Sequence, residues 1–342
     1  APDGPPQPVG LDAKLAPLAA GQRPPLLLLV LGETARAANF SLYGYARPTN
    51  PELSKLPVLA FSDVSSCGTN TAASLPCMFS LLGREAYLAQ ERPQENVLDL
   101  LQRAGLAVLW LDNQSGCKGQ CDRVASASAH TPAPGAAPLP AGLCHGEECF
   151  DAVLLHGLDE RIAALPAERR ARGVVLVMHQ MGSHGPAYYD RSPPDRKPFQ
   201  PECNTSVLQD CEPQSLVNAY DNSIAYADHI VASAIGWLRR QQQFDPLLMY
   251  LSDHGESLGE NNLYLHGLPY SVAPREQKHV PLVVWWPALE RQPADPLGAC
   301  LRQRLATPLS HDHLSHSLIG WLGVQTADYR RERDLFAPCR QP

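Results

Sequence analysis

Four apolar runs in this 342-residue sequence are each followed at once by side chains able to bind metal or phosphate. LLLLVL (26–31) leads into Gly32-Glu33-Thr34, and LAVLWL (106–111) into Asp112-Asn113-Gln114 and then Lys118. VVLVM (174–178) leads into His179 and, five residues on, His184; LLMYL (247–251) leads into Ser252-Asp253-His254-Gly255-Glu256. If the runs are strands of one parallel sheet, these groups emerge on one rim, where open α/β sheets bind ligands. Glu33 and Asp253 offer oxygen, His254 offers nitrogen, and His184 and His266 offer further imidazoles. Zinc accepts that mixture, whereas magnesium and calcium favour more oxygen. Zinc is therefore the expected metal, with manganese behind it. Singly, each residue has a plainer reading: Glu33 as a salt-bridged acid, Asp253 as a turn cap. Their recurrence at strand ends favours the metal.

A nucleophile for such a metal lies in CGTNTAASLPC, bracketed by Cys67 and Cys77. Leu75, Met78, Phe79, Leu81 and Leu82 suggest a helix over about 72–82, with Thr71 at or just before its first turn. Helix N-termini present unpaired N–H groups that suit phosphate. A metal would lower the hydroxyl pKa and supply the alkoxide. The plainer reading of Thr71 is an N-cap, and Thr69 and Ser74 are weaker rivals as nucleophile. Among the other histidines, His130, His145, His156, His229 and His316 read as satisfied polar groups. His311 and His313 read as capping or solvent-exposed, and His179 as structural or supporting.

The ten cysteines contain no C-x-x-C, which weakens zinc-knuckle and thioredoxin readings. Close pairs at Cys67/Cys77, Cys117/Cys121, Cys144/Cys149 and Cys203/Cys211, with Cys300 and Cys339 left over, point to disulfides and an oxidising compartment. Spacing does not fix the connectivity; neighbour-to-neighbour pairing is the expectation. The net charge of −7 gives no electrostatic footprint for nucleic acid. No apolar run approaches the ~20 residues of a membrane helix, so the chain as given reads as soluble. It starts at Ala1 without a signal peptide and reads as a processed or excised form.

The elements that must position these residues follow from periodicity. The four runs, with PLVVWW (281–286), are apolar on both faces, as strands covered by helices on each side are. VLDLLQRAG (97–105), residues 215–241 and residues 313–323 carry helical stripes, the second of them through Leu216, Tyr220, Ile224, Ala227, Val231, Ala234 and Leu238. The expected fold is α/β, with a mostly parallel central sheet flanked by helices on both faces. Residues 1–24, rich in proline and alanine, read as a linker or loosely docked arm before a catalytic domain at 25–342. Proline-rich residues 131–143 and 186–201 read as surface loops.

Six segments then carry a family likeness. GETARAANFSLYGYARPTNP (32–51), SCGTNTAASLPCMFS (66–80), MHQMGSHGPAYY (178–189), NAYDNS (218–223), SDHGESLGENNLYLHGLPY (252–270) and APREQKHVPLV (273–283) together resemble the phosphoethanolamine–lipid A transferases, the family of the transferable colistin-resistance enzymes. That family falls within the alkaline phosphatase and sulfatase superfamily. The resemblance implies Thr71 as nucleophile and Glu33, Thr71, Asp253 and His254 as ligands of one tightly bound zinc. It implies His184 and His266 as accessory groups that bind a second zinc or handle protons and phosphate oxygens. Lys118 and Thr69 match substrate-side positions, as does Gln114, which stands where some members have asparagine. It further implies phosphatidylethanolamine as donor, lipid A as acceptor, a monomer, and a soluble domain on the periplasmic face of the inner membrane beside a membrane domain absent from this chain.

The implied reaction is a two-step transfer through a covalent Thr71 intermediate, leading to polymyxin and colistin resistance. Alternatives are a phosphodiesterase or sulfatase of the same superfamily, a transferase acting on core sugar, and a non-catalytic periplasmic zinc module. The C/S-x-P-x-R setting of sulfatase nucleophiles is not found around Thr71.

Overall fold

The computed structural model describes residues 4–341. Seven strands form the central sheet: β1 Pro25–Gly32, β2 Leu59–Phe61, β3 Ala107–Asp112, β4 Ala125–Ser128, β5 Val174–His179, β6 Asp245–Ser252 and β7 Leu282–Trp285. Their order is β2-β7-β6-β1-β5-β3-β4, parallel from β6 through β4. The edge strand β2 and its neighbour β7 join by antiparallel pairing. The expected α/β class, mostly parallel and covered on both faces, is the observed one.

Side-chain alternation along the strands explains the two cores. Leu27, Leu29 and Leu31 of β1, with Val175 and Val177 of β5, pack one face beneath the helices α1 Thr71–Met78, α2 Val97–Arg103 and α4 Asp312–Trp321. Leu26, Leu28 and Val30, with Val174, Leu176 and Met178, pack the other face under the 27-residue α3, Pro213–Arg239. At ~25 cal/mol per Å² of apolar area, burying a strand run on both faces far outweighs any single polar contact in the molecule.

Three expectations need correction. α1 ends at Met78, not near 82: Pro76 lacks a donor, and the chain turns so that the Phe79 carbonyl accepts the Val97 N–H at 2.9 Å. The stretch 186–201 is not simply surface loop, since Tyr188, Arg191 and Ser192 within it are buried. Described residues of the N-terminal arm are pinned rather than loose. Lys14–Leu15 pairs antiparallel with Val324–Gln325, and the Gly10 N–H donates to Asp328 Oδ2 at 2.7 Å. Residues 1–3 of the arm lie outside the described residues. No described helix is long and apolar enough to cross a membrane.

Register places the chemistry. Gly32 of β1 pairs with Ser252 of β6, so Glu33 and Asp253 leave adjacent strands side by side. His179 pairs with Leu31 on one side and with Asp112 on the other, so all three carboxylates and the imidazole crown one rim.

All ten cysteines are bonded, each to its neighbour in cysteine order: Cys67–Cys77, Cys117–Cys121, Cys144–Cys149, Cys203–Cys211 and Cys300–Cys339. The last spans 39 residues and the second only 4. Loop-closure entropy assigns about 4 kcal/mol to the long link and about 2 kcal/mol to the short one. Urea unfolding of the paired-serine variants is expected to show Cys300→Ser with Cys339→Ser the more destabilised by roughly that difference.

Candidate active site

Thr71 opens α1, and its neighbour Asn70 is the N-cap, accepting the Ala73 N–H at 2.8 Å. The capping role is thus filled, and the Thr71 hydroxyl turns to the sheet rim. Its Oγ1 lies 2.8 Å from Glu33 Oε1 and 2.7 Å from Asp253 Oδ2. His254 Nε2 stands 3.5 Å from the same Glu33 oxygen and 3.6 Å from the same Asp253 oxygen. Four donor atoms from three segments therefore converge.

Local backbone holds each of them. Thr34, a β-branched residue with φ of 61°, turns the chain after β1. That strained conformation is held on both sides: the Thr34 N–H donates to Asp253 Oδ1 at 3.1 Å, and Tyr220 of α3 donates its hydroxyl to the Thr34 carbonyl at 2.6 Å. After β5, Gly182 sits so close that a Cβ would stand 2.5 Å from the Glu33 carbonyl oxygen. Asp151 fixes that turn by accepting the N–H groups of Met181 and Gly182, both at 2.8 Å. After β6, Gly255 and Glu256 donate their N–H groups to the carbonyls of Gln277 and Glu276.

His311 departs from expectation. It is buried, receives the Cys67 N–H on Nδ1 at 2.8 Å and reaches the Ser252 carbonyl through Nε2 at 2.9 Å. Burial depresses its pKa to about 4, so it is neutral and ties the loop before Thr71 to the end of β6. His313 accepts the Ser310 N–H, a capping contact. His130, His156, His229 and His316 have polar partners, and His145 packs against Phe150.

The electrostatics call for positive charge. Burial pushes the Glu33 carboxyl up, but the neighbouring imidazoles of His179, His184 and His254 more than offset this and hold it well below the usual carboxylate range. Burial, then the Glu33 charge, pushes Asp253 up to about 7. Burial opposes protonation of His254, yet Asp253 and Glu33 raise its pKa to about 10. His179 shows the same balance, raised to about 9 by Asp112 and Glu33 against burial.

These residues fit a metal ion. Glu33, Asp253 and His254 each bring a ligand atom within 4.8 Å of the others. Glu33 Oε2, His179 Nε2 and His254 Nε2 are buried without a hydrogen-bond partner. His254 donates Nδ1–H to the Gly255 carbonyl at 2.7 Å, which aims Nε2 at the cluster as a ligand. Donors of a tetrahedral zinc site stand about 3.3 Å apart, given ~2.0–2.1 Å bonds, near the His254 spacings.

The accessory histidines border the cluster. His184 Nδ1 is 3.4 Å from Glu33 Oε1 with 39% of its side chain exposed. The His266 ring lies 4.2 Å from that of His254, and its Nδ1 donates to Glu256 Oε1 at 2.7 Å. Thr69 donates to the Leu268 carbonyl at 2.6 Å instead of facing the metal cluster. Lys118 and Gln114 lie in the loop after β3; Lys118 Nζ reaches Ser115 Oγ at 3.2 Å, and Gln114 Oε1 accepts from Ser115. Neither touches Thr71, Glu33, Asp253 or His254 among the described contacts.

Sequence reasoning assigned no role to Glu256, Tyr188, Asp151 or Tyr220. Glu256 sits two residues past His254 and could have been noticed; Tyr188 donates to its other oxygen. Asp151 carries no local signal, and the helical stripe gives the buried side of Tyr220 but not its partner Thr34.

A sulfatase family model matches residues 25–324. The chain belongs to the sulfatase family, within the alkaline phosphatase superfamily. Its relatives there are phosphoethanolamine transferases. It is 47% identical to phosphoethanolamine transferase EptA of Salmonella typhimurium over 97% of this chain and 60% of the relative. It is 40% identical to phosphatidylethanolamine transferase Mcr-1 of Escherichia coli over 92% of this chain and 56% of the relative. The chain thus spans about three fifths of the length of these curated relatives. Among solved structures it matches the soluble domain of lipooligosaccharide phosphoethanolamine transferase A from Neisseria meningitidis. That match has a TM-score of 0.88 and 38% identity, over 99% of this chain and 100% of that one. In the structure of the integral membrane form of that protein, the match covers 62% of the chain.

Gly255 offers a direct check on the rim. A Cβ there would stand 1.9 Å from the Glu276 carbonyl oxygen, backbone against backbone. Gly255→Ala is expected to destabilise by about 1–3 kcal/mol or more, as overpacking does. Gly142, with φ of 83° and nothing within 4 Å, isolates the backbone term. Gly142→Ala is expected to cost about 1 kcal/mol. Thermal unfolding of the two variants measures the difference.

Proposed function

We propose that this chain is the catalytic part of a zinc-dependent transferase that moves phosphoethanolamine from phosphatidylethanolamine to a lipid A phosphate. The observation that carries the reading is the placement of the Thr71 hydroxyl at a helix N-terminus, within 2.8 Å of two buried carboxylates. The names of the phosphoethanolamine transferase relatives support the group transferred, and that of the Neisseria meningitidis protein supports a lipooligosaccharide acceptor.

Glu33, Thr71, Asp253 and His254 would hold one zinc, and His184 and His266 a second or the protons. Bound zinc supplies a Lewis acid that lowers the hydroxyl pKa and neutralises charge on the transferring phosphoryl group. Thr71 Oγ1 attacks the donor phosphorus; a P–O bond to threonine forms and the P–O bond to glycerol breaks. Asp253 Oδ2, 2.7 Å from the hydroxyl and the more basic of the two carboxylates, would receive the hydroxyl proton. His184 or His266, both with side chains reaching solvent, protonates the departing diacylglycerol oxygen. In the second step a lipid A phosphate oxygen attacks the same phosphorus, the bond to Thr71 breaks, and the threonine regains a proton. Lys118 and Gln114, in the loop beyond β3, would meet the substrate head group. The product carries an amine where lipid A carried bare phosphate, so cationic peptides such as polymyxin and colistin bind less well.

Five disulfides suit an oxidising periplasm, and the length of the relatives suits a membrane domain joined to this one in the full protein. The chain is proposed to act as a monomer beside the periplasmic face of the inner membrane.

Thr71→Ala is expected to cut transfer from phosphatidylethanolamine at least 1,000-fold, of the order seen on losing a covalent nucleophile, while circular dichroism stays unchanged. Intact-mass spectra of the unaltered protein after donor alone should show one phosphoethanolamine on Thr71. Full activity in the alanine variant would refute the nucleophile assignment. Glu33→Gln and His254→Ala are expected to lower zinc content, read by elemental analysis, and chelation to abolish transfer with the fold retained. A protein that turns over the donor only to water would be a phosphodiesterase instead.

A further inference from the structure

His266 is carried on a loop with little regular structure. Two-residue strands, Ser257–Leu258 and Tyr264–Leu265, are its only ladder. Asn261, Asn262 and Leu265 have φ of 55°, 60° and 64°. Leu265 directly precedes His266, and a bulky residue in the left-handed region persists only where both flanks are held. The near flank is held by Glu256, through its bond to His266.

The far flank is held by the nucleophile loop itself. Arg84 donates Nε–H to the Cys67 carbonyl at 2.7 Å, and its guanidinium lies 3.8 Å from the centre of the Tyr270 ring. Thr69 donates to the Leu268 carbonyl at 2.6 Å. Lys278 stacks 4.9 Å from the same ring, donates to the Tyr270 carbonyl at 3.0 Å, and accepts the Ser66 N–H on its own carbonyl at 2.8 Å. Residues 66–69 and 268–270 are thus stapled together, with Thr71 just past one segment and His266 just before the other.

We propose that Arg84 and Tyr270 are positioning residues, forming a cation–aromatic clasp that holds the His266 loop against the Thr71 loop so that both side chains address one phosphorus. This rests on the functional reading given above. Neither residue lies in the metal cluster. A cation–aromatic contact at a partly exposed site is weak in isolation, so its loss leaves the fold intact. A displacement of about 1 Å at a reacting group can still cost about 100-fold in rate. The ring face, not the Tyr270 hydroxyl, makes the contact.

The test compares Tyr270→Ala, Tyr270→Phe and Arg84→Ala in the zinc-loaded protein, with short-chain phosphatidylethanolamine as donor. Tyr270→Ala is expected to speed amide hydrogen exchange across 264–272 at least tenfold and leave exchange in β6 and zinc content unchanged. Its kcat is expected to fall about tenfold or more, with KM for the donor within twofold. Tyr270→Phe is expected to behave as the unaltered protein. Arg84→Ala should repeat the alanine phenotype, and the double variant should be no worse than either single one. Unchanged exchange and kcat in Tyr270→Ala would overturn the clasp. So would a rise in KM alone, which would make Tyr270 a substrate contact, or equal damage in the phenylalanine variant, which would assign the effect to the hydroxyl. If the unaltered protein transfers no phosphoethanolamine, the functional reading fails, and the exchange measurement still decides the clasp.

Discussion

Two carboxylates, Glu33 and Asp253, leave adjacent parallel strands one residue past paired positions, and both are fully buried. Like charges at that separation in low dielectric cannot both stay ionised without a counter-charge. Burial and mutual repulsion push Asp253 up to about 7, and the carboxylates in turn draw protons onto His254 and His179. The polar structure around the rim answers that one demand for positive charge. A divalent cation meets it with the donor atoms already assembled, and the Thr71 hydroxyl lies among them.

Holding such a cluster together costs backbone strain and close approach. Thr34 sits in the left-handed region, Gly182 crosses over Glu33, and Gly255 presses on Glu276. The supports come from every layer of the fold: Tyr220 on α3, Asp151 in the chain between β4 and β5, and His311 ahead of α4. Asp112 joins the two functional regions. Its Oδ1 receives the His179 ring at 2.9 Å, and its Oδ2 accepts the Gln114 N–H at 2.9 Å. The loop bearing Gln114 and Lys118 is thereby tied to the imidazole that faces Glu33. Preorganisation of this kind lets fixed charges act without reorganising during the reaction.

The proposed chemistry uses the two exposures found at the rim. Glu33, Asp253 and His254 are sealed from water, while Thr71, His184 and His266 keep part of their side chains in solvent. In the proposed reaction, charge stabilisation would belong to the dry side and proton exchange to the wet side.

Much of this was legible in the amino-acid order. Runs such as LLLLVL and VVLVM, short and apolar on both faces, fit strands covered on both sides, and polar residues directly after such strands fall on the rim. That is why Glu33, Asp253 and His254 could be picked out without coordinates. The same logic could not reach His311, whose role depends on a carbonyl 59 residues earlier in the chain. Nor could it place Asp151, join Tyr220 to Thr34, or bury Tyr188 from within a proline-rich stretch. Local periodicity reports which way a side chain faces relative to its own element. Strand order and register decide which distant groups meet, because they arise from pairing between segments that share no local pattern. Residue order thus determined the ligand types and the layer architecture. Only the tertiary structure made Asn70 the cap, left Thr71 free to meet two acids, and set the loop of His266 against that of Thr71.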